Sequence, residues 1–188
     1  MSLALALTSC ASFIPDTSSV LYVAVPDQKM ELRQNGVRVA TYEISTSKFG
    51  LGDQPGSNCT PLGEHVIAQK IGGGQPSGMK FKSRRPTGEI VPPNAPGRDP
   101  IVSRILWLRG LEPCNANAYH RYIYIHGTPQ ETLIGQPKSY GCIRMRSRDV
   151  IDLYDRVGKG AKVVILNQPL ESLPAPVGPE VAAHGLSM

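Results

Sequence analysis

The 188-residue chain is poor in several things, and each shortage excludes something. Aromatic residues are only 6%, which argues against a surface that stacks bases or sugars on many rings. The longest unbroken apolar run is Val20–Val25, far short of the roughly 20 residues a membrane-spanning helix needs. The four cysteines are Cys10, Cys59, Cys114 and Cys142, and no two form a C-x-x-C pair. Zinc ribbons and thioredoxin-type motifs are thereby excluded. Four cysteines over this length also fall short of a disulfide-dense scaffold. Cys59 and Cys114 read either as small buried hydrophobes or as one mutual disulfide.

Hydrophobic residues reach 40%, enough for one core in a chain of this size. Gly (19) and Pro (17) exceed average usage, so the chain is turn-rich and unsuited to a bundle of long helices. The net charge of +5 suits an acidic partner: nucleic acid, anionic lipid or an anionic wall polymer. Lys80, Lys82, Arg84, Arg85, Arg98, Arg104 and Arg109 stand against only Glu89 and Asp99 between residues 80 and 109. That stretch reads either as a solvated loop face or as a binding face.

Leu7-Thr8-Ser9-Cys10 resembles the lipobox of a bacterial lipoprotein signal, which makes Cys10 a lipidation candidate. No Lys or Arg precedes Lys29, and Leu3–Leu7 is shorter than the usual apolar h-region. A start placed too far downstream accounts for both. The expectation is an exported protein in the periplasm or cell envelope, with membrane attachment through an N-terminal lipid. Residues 1–19 read as a leader, 20–167 as one domain without internal repeats, and 168–188 as a Pro-rich disordered tail.

Within the domain, Val20–Val25 reads as a strand. Met30 and Leu32, then Val37 and Val39, alternate with polar neighbours around Asn35-Gly36, the signal of a two-residue hairpin. His65–Ile71, Ile101–Leu108, Arg121–Ile125 and Ala161–Leu166 read as further strands. One helix is expected, capped by Ser147, with Asp149 in its first turn. Val150, Ile151, Tyr154 and Val157 recur at helical spacing, and Gly158 ends it. The stretches 46–64 and 72–100 read as long functional loops. The class is mainly β.

The chemistry concentrates in residues 121–146. His126 ends an apolar strand, and Cys142 follows Gly141 just before Arg144 and the helix. A nucleophilic Cys needs a depressed pKa, a nearby base and donors for the oxyanion. Arg144 and His126 favour the thiolate, and the consecutive N–H groups of Tyr140, Gly141 and Cys142 could form a nest. The set fits acyl transfer through a thioester. Zinc is a rival use of Cys114, His120, His126 and Cys142. On a continuous strand over 120–126, however, the two histidines stand roughly 20 Å apart.

Ile123-Tyr-Ile-His126-Gly-Thr and Ser139-Tyr-Gly-Cys142-Ile-Arg144-Met resemble the signature of the L,D-transpeptidase catalytic domain (YkuD-type). Thr60-Pro61-Leu62-Gly63, Trp107–Gly110 and Asp149–Tyr154 extend the resemblance over about 20–167. It implies a β-sandwich of mixed strands with a few short helices. It also implies Cys142 as nucleophile, His126 as general base and the Gly127 carbonyl as its orienter. Tyr140, Gly141 and Cys142 would supply oxyanion donors. Ser139 and Arg144 would shape the motif loop, with Arg144 contacting a substrate carboxylate. Tyr140 replaces the His most often found there, which puts any side-chain role of that position in doubt. The implied partner is the peptidoglycan stem peptide rather than nucleic acid, with no metal or organic cofactor. The implied reaction is L,D-transpeptidation with release of D-Ala. An L,D-carboxypeptidase or wall-peptide hydrolase would use the same site, and a non-catalytic muropeptide-binding module is the third reading. A papain-like protease has Cys and His in the reverse order.

Overall fold

The computed structural model describes residues 14–178. Its strands are β1 (Ser19–Ala24), β2 (Lys29–Gln34), β3 (Val37–Glu43), β4 (Gly63–Ile71), β5 (Met79–Lys82), β6 (Arg85–Ile90), β7 (Val102–Gly110), β8 (Tyr124–Gly127), β9 (Ile143–Met145) and β10 (Lys162–Leu166), with one helix, α1 (Ser147–Arg156). Asn35 and Gly36 join β2 to β3 with φ of 50° and 81°. Two consecutive left-handed residues make the type I′ turn that matches strand twist.

β1 pairs antiparallel with β2 and parallel with β10, so the sheet is mixed. The order runs β3-β2-β1-β10-β4-β7, and β8 and then β9 continue from β7. Just beyond β3, Ser45 bridges to Arg144 of β9. The sheet therefore curls until its far edges meet. Leu21, Leu32, Ile67, Leu106, Ile125 and Leu153 are among the buried side chains of the core it wraps. Each contributes about 1.5–3 kcal/mol by leaving water. This is the mainly β architecture of mixed strands that the resemblance implies.

Several local expectations change. β8 begins at Tyr124, not Arg121, because Arg121 and Ile123 give their N–H groups to the Asn117 and Ala118 carbonyls in a turn. His120 is thus outside the strand, and the separation argued for a continuous strand over 120–126 loses its premise. The 72–100 stretch is not all loop: it holds the β5–β6 hairpin, turned by Ser83 (φ 48°) and Arg84 (φ 67°). Ser-Arg lacks the Asn-Gly chemistry that announces such a turn. Ser147 does not cap α1. The cap residue is Arg146, the Ser147 N–H donates to Glu131 Oε1 at 2.8 Å, and the Ser147 hydroxyl accepts from Ser103. The buried helix face uses Val150 and Leu153, while Ile151 and Tyr154 are only partly covered.

Both ends of the domain reach further than expected. Asp16 accepts from the Gly158 N–H, and Pro15 packs on Gly160. Residues 168–178 lie against the β2–β3 hairpin: Arg33 donates to the Pro174 carbonyl, and the Val177 N–H to Gly36. The Leu170 N–H also donates to Asp27 Oδ2 at 2.8 Å, and the prolines of the segment carry no N–H to satisfy. Cys59 and Cys114 are free thiols, half-buried and exposed respectively. They are neither a disulfide nor buried hydrophobes. Cys10 lies outside the described residues.

Candidate active site

The site is built on the β8–β9 pair. These strands run parallel, with Ile125 opposite Ile143 and His126 opposite Arg144. Strand side chains alternate between faces. Ile125, Ile143 and Met145 point into the main core. Tyr124, His126, Cys142 and Arg144 therefore share the opposite face. The structure places His126 on β8 and Cys142 immediately before β9, the strand paired with β8.

His126 is buried, and its Nδ1 lies 2.8 Å from the Gly127 carbonyl oxygen. A carbonyl only accepts, so Nδ1 carries the proton and Nε2 keeps its lone pair. Burial holds the imidazole pKa below its ordinary value, which keeps the ring neutral and basic. Gly127 is required here for space. A Cβ at that position would lie 2.5 Å from the Val102 carbonyl oxygen, where β7 crosses.

The Cys142 thiol donates to the Tyr122 carbonyl at 3.4 Å. Burial pushes it up to about 11, against a hydrogen bond from the Tyr124 N–H and the charges of Arg121 and Arg144. The expectation of a depressed pKa is therefore corrected: desolvation outweighs both guanidiniums. The resting pair is a neutral thiol beside a neutral imidazole. In the free protein Cys142 should alkylate about 100-fold more slowly at pH 7 than an exposed peptide thiol, since a two-unit rise leaves a hundredth of the thiolate. Labelling with iodoacetamide, read by mass spectrometry, should show a rate still climbing above pH 9. A plateau near neutrality would contradict this.

The motif loop is held by its own side chains. Ser139 Oγ donates to the Cys142 carbonyl at 2.6 Å and accepts from the Gly141 N–H at 3.2 Å. Gly141 has φ 114°, and a Cβ there would press on the Cys59 carbonyl. Thr60 Oγ1 donates to the Gly141 carbonyl, and Ser139 exchanges backbone bonds with Thr46 and Lys48. The 46–64 stretch thus grips the loop. Because Ser139 engages the Gly141 N–H, that group is not among the free oxyanion donors the motif suggested.

Arg144 is also corrected. It is 2% exposed, and its guanidinium pairs with Asp99 while donating to Gln130 Oε1 and Ser45 Oγ at 3.1 Å each. Its fork faces the protein rather than a substrate carboxylate. Asp99 also accepts from the Thr128 hydroxyl, so it ties the 96–100 loop to both site strands. Its signal in the sequence was to be one of only two acids in the basic stretch 80–109. Asp99 was not singled out there.

The scarce aromatics gather at this site. Trp107, Tyr119, Tyr122 and Tyr124 form one cluster, with Trp107 stacked on Tyr119 at 4.2 Å. Cys142 packs on the same cluster. Arg84, at the tip of the β5–β6 hairpin, covers it, 4.9 Å from the Trp107 ring. Tyr140 is exposed, and Lys48 Nζ donates to its hydroxyl at 3.0 Å. His65 is a core residue, bonded to the Gly63 carbonyl. Among the described residues no group of three or more His, Cys, Asp or Glu is placed to hold a metal ion.

The model of the L,D-transpeptidase catalytic domain (YkuD) matches residues 18–165. The probable L,D-transpeptidase YcfS of Escherichia coli (strain K12) is 39% identical over 61 residues, 32% of this chain and 19% of that protein. The probable L,D-transpeptidase ErfK/SrfK of the same organism is 41% identical over 58 residues, 31% of this chain and 19% of that protein. The matched segment therefore spans about a fifth of the curated relatives. L,D-transpeptidase 3 from Mycobacterium tuberculosis, solved with a faropenem-derived adduct, covers 81% of this chain and 60% of its own at 17% identity, with a TM-score of 0.51. That likeness speaks for the fold. With the family model matching most of its length, the chain belongs to the L,D-transpeptidase catalytic domain family.

Proposed function

We propose that the protein is a peptidoglycan L,D-transpeptidase working through a Cys142 thioester. The observation that carries this reading is the tautomer of His126. Its Nδ1–H is held by the Gly127 carbonyl, which leaves Nε2 as a base on the face that presents Cys142.

With both groups neutral at rest, proton transfer accompanies attack. His126 Nε2 takes the Sγ proton as sulfur bonds to the carbonyl carbon of the third stem residue. The backbone N–H groups of Tyr140 and Cys142 donate to the oxyanion. The C–N bond to D-Ala then breaks, and His126 returns the proton to the leaving amine. An amine from a second peptide attacks the thioester and forms the new amide. Its proton passes through His126 back to the sulfur. The Trp107 cluster packs on Cys142 and would shield that flank of the thioester, which favours an amine over hydrolysis. The chain's own residues complete the cycle without an organic cofactor. Export, with Cys10 as a lipid anchor, belongs to the same proposal.

Incubation with purified disaccharide-tetrapeptide, followed by mass spectrometry, tests the reaction. Transfer gives a cross-linked dimer and free D-Ala. A tripeptide alone would instead mark an L,D-carboxypeptidase, and no turnover would mark a binding module.

A further inference from the structure

A cavity of ≈ 510 Å³ opens beside Tyr140, lined by Lys48, Arg98, Asp99, Lys138 and Arg144 among others. Its charge is unbalanced. The Asp99 carboxylate is already engaged by Arg144 and Thr128. The Arg98 guanidinium and the Lys138 ammonium form no ion pair or hydrogen bond among the described residues, while the Lys138 backbone N–H donates to Ser45 Oγ. Lys48 Nζ is held by the Tyr140 hydroxyl at 3.0 Å, with its charge 4.4 Å from that ring's centre. Three cations gathered around one opening repel each other, and an anion between them relieves that repulsion.

The cavity is fixed to the nucleophile loop. Ser47 bridges to Ser139, and the Lys48 N–H donates to the Ser139 carbonyl at 3.1 Å. The lateral order β7, β8, β9, Ser45 puts the Trp107 cluster on one side of the Cys142 strand. The segment carrying Lys48 lies on the other. The thioester would thus have an aromatic flank and a cationic flank.

We propose that this cavity is an anion subsite holding a carboxylate of the amine-bearing acceptor peptide. The proposal rests on the transferase reading above and names what resolves the thioester. The acceptor must attack as a neutral amine, and nearby cations disfavour its ammonium form. The same cations attract a carboxylate on that peptide. Attack forms the C–N bond, breaks the C–S bond, and sends one amine proton through His126 Nε2 to the Cys142 sulfur. Tyr140 is a positioning residue that aims Lys48.

The test follows how the full-length protein divides its thioester between amine and water. The donor is disaccharide-tetrapeptide. The acceptors are a tripeptide stem with free carboxylates and the same stem with those groups as carboxamides. The ratio of cross-linked product to hydrolysed tripeptide is read for wild type, for Arg98→Ala with Lys138→Ala, and for Arg109→Ala as a charge control on another face. Wild type and Arg109→Ala should favour the carboxylate acceptor by about 10-fold, the effect of one modest polar contact set. The double variant should lose that preference. Equal use of the two acceptors by wild type, or an undiminished preference in the double variant, overturns the subsite. A shift confined to donor KM also overturns it, by assigning the cavity to the donor. Absence of any D-Ala release by wild type overturns the transferase reading together with the subsite.

Discussion

Cys142→Ala should abolish D-Ala release from a tetrapeptide stem, by at least 10³-fold, while Cys114→Ser should keep wild-type rates. In the proposed mechanism the sulfur forms the covalent bond, so no neighbour substitutes for it, and such units collapse when one member is removed. Cys114 is exposed, in the Pro113–Asn115 turn that packs on β4, so its replacement controls for general thiol effects. His126→Ala should fall within about 10²–10⁴-fold of wild type, the usual range for loss of a general base. Assay of D-Ala by coupled oxidation checks all three proteins. Retention of more than a tenth of activity in Cys142→Ala would assign the chemistry elsewhere.

Arg144→Ala should unfold the domain more readily, by about 1.5–3 kcal/mol, the range for losing hydrogen bonds made by a charged group. Arg144 is buried while Asp99 is partly exposed, so the loss is smaller than for a wholly buried pair. Here the loss strands Asp99 and frees Ser45 and Gln130 at the seam where the sheet closes. The figure is a large share of the ~5–15 kcal/mol that stabilises a typical domain. Urea unfolding followed by tryptophan fluorescence measures it, since Trp107 is the sole tryptophan. A substrate-binding role makes a different prediction: unchanged stability with a raised donor KM. That pattern would restore the carboxylate-contact reading of Arg144.

The two roles of Arg144 show where sequence is informative and where it is not. His126 and Cys142 stand out as candidates because their signal is local. A His at the end of an apolar strand and a Cys after Gly, before a basic residue, carry their meaning in neighbouring residues. Arg144 carries none locally, because its partner Asp99 lies 45 residues away in sequence. Nothing in periodicity tells a buried, paired Arg from one aimed at substrate. The aromatic flank was hidden in the same way. A content of 6% argued against stacking surfaces, yet Trp107, Tyr119, Tyr122 and Tyr124 converge from β7, a turn and β8. The Asn35-Gly36 hairpin was readable from its turn chemistry, whereas the Ser83-Arg84 hairpin was not. The thiol pKa failed on magnitudes, since adjacent cations are visible in sequence and desolvation of the sulfur is not.

The Gly and Pro excess likewise gained positions. Gly127 lets β7 pass close behind His126, and Gly141 turns the chain just before Cys142. The 46–64 and 72–100 stretches hold the motif loop and cover the aromatic cluster.

The central claim is a covalent bond at one sulfur. The most direct measurement is to mix the protein with disaccharide-tetrapeptide, quench in acid, digest, and map the acyl group by mass spectrometry. The account predicts a tripeptide acyl group, lacking D-Ala, on the peptide containing Cys142. Release of D-Ala with that peptide unmodified and the acyl group on another residue would contradict it.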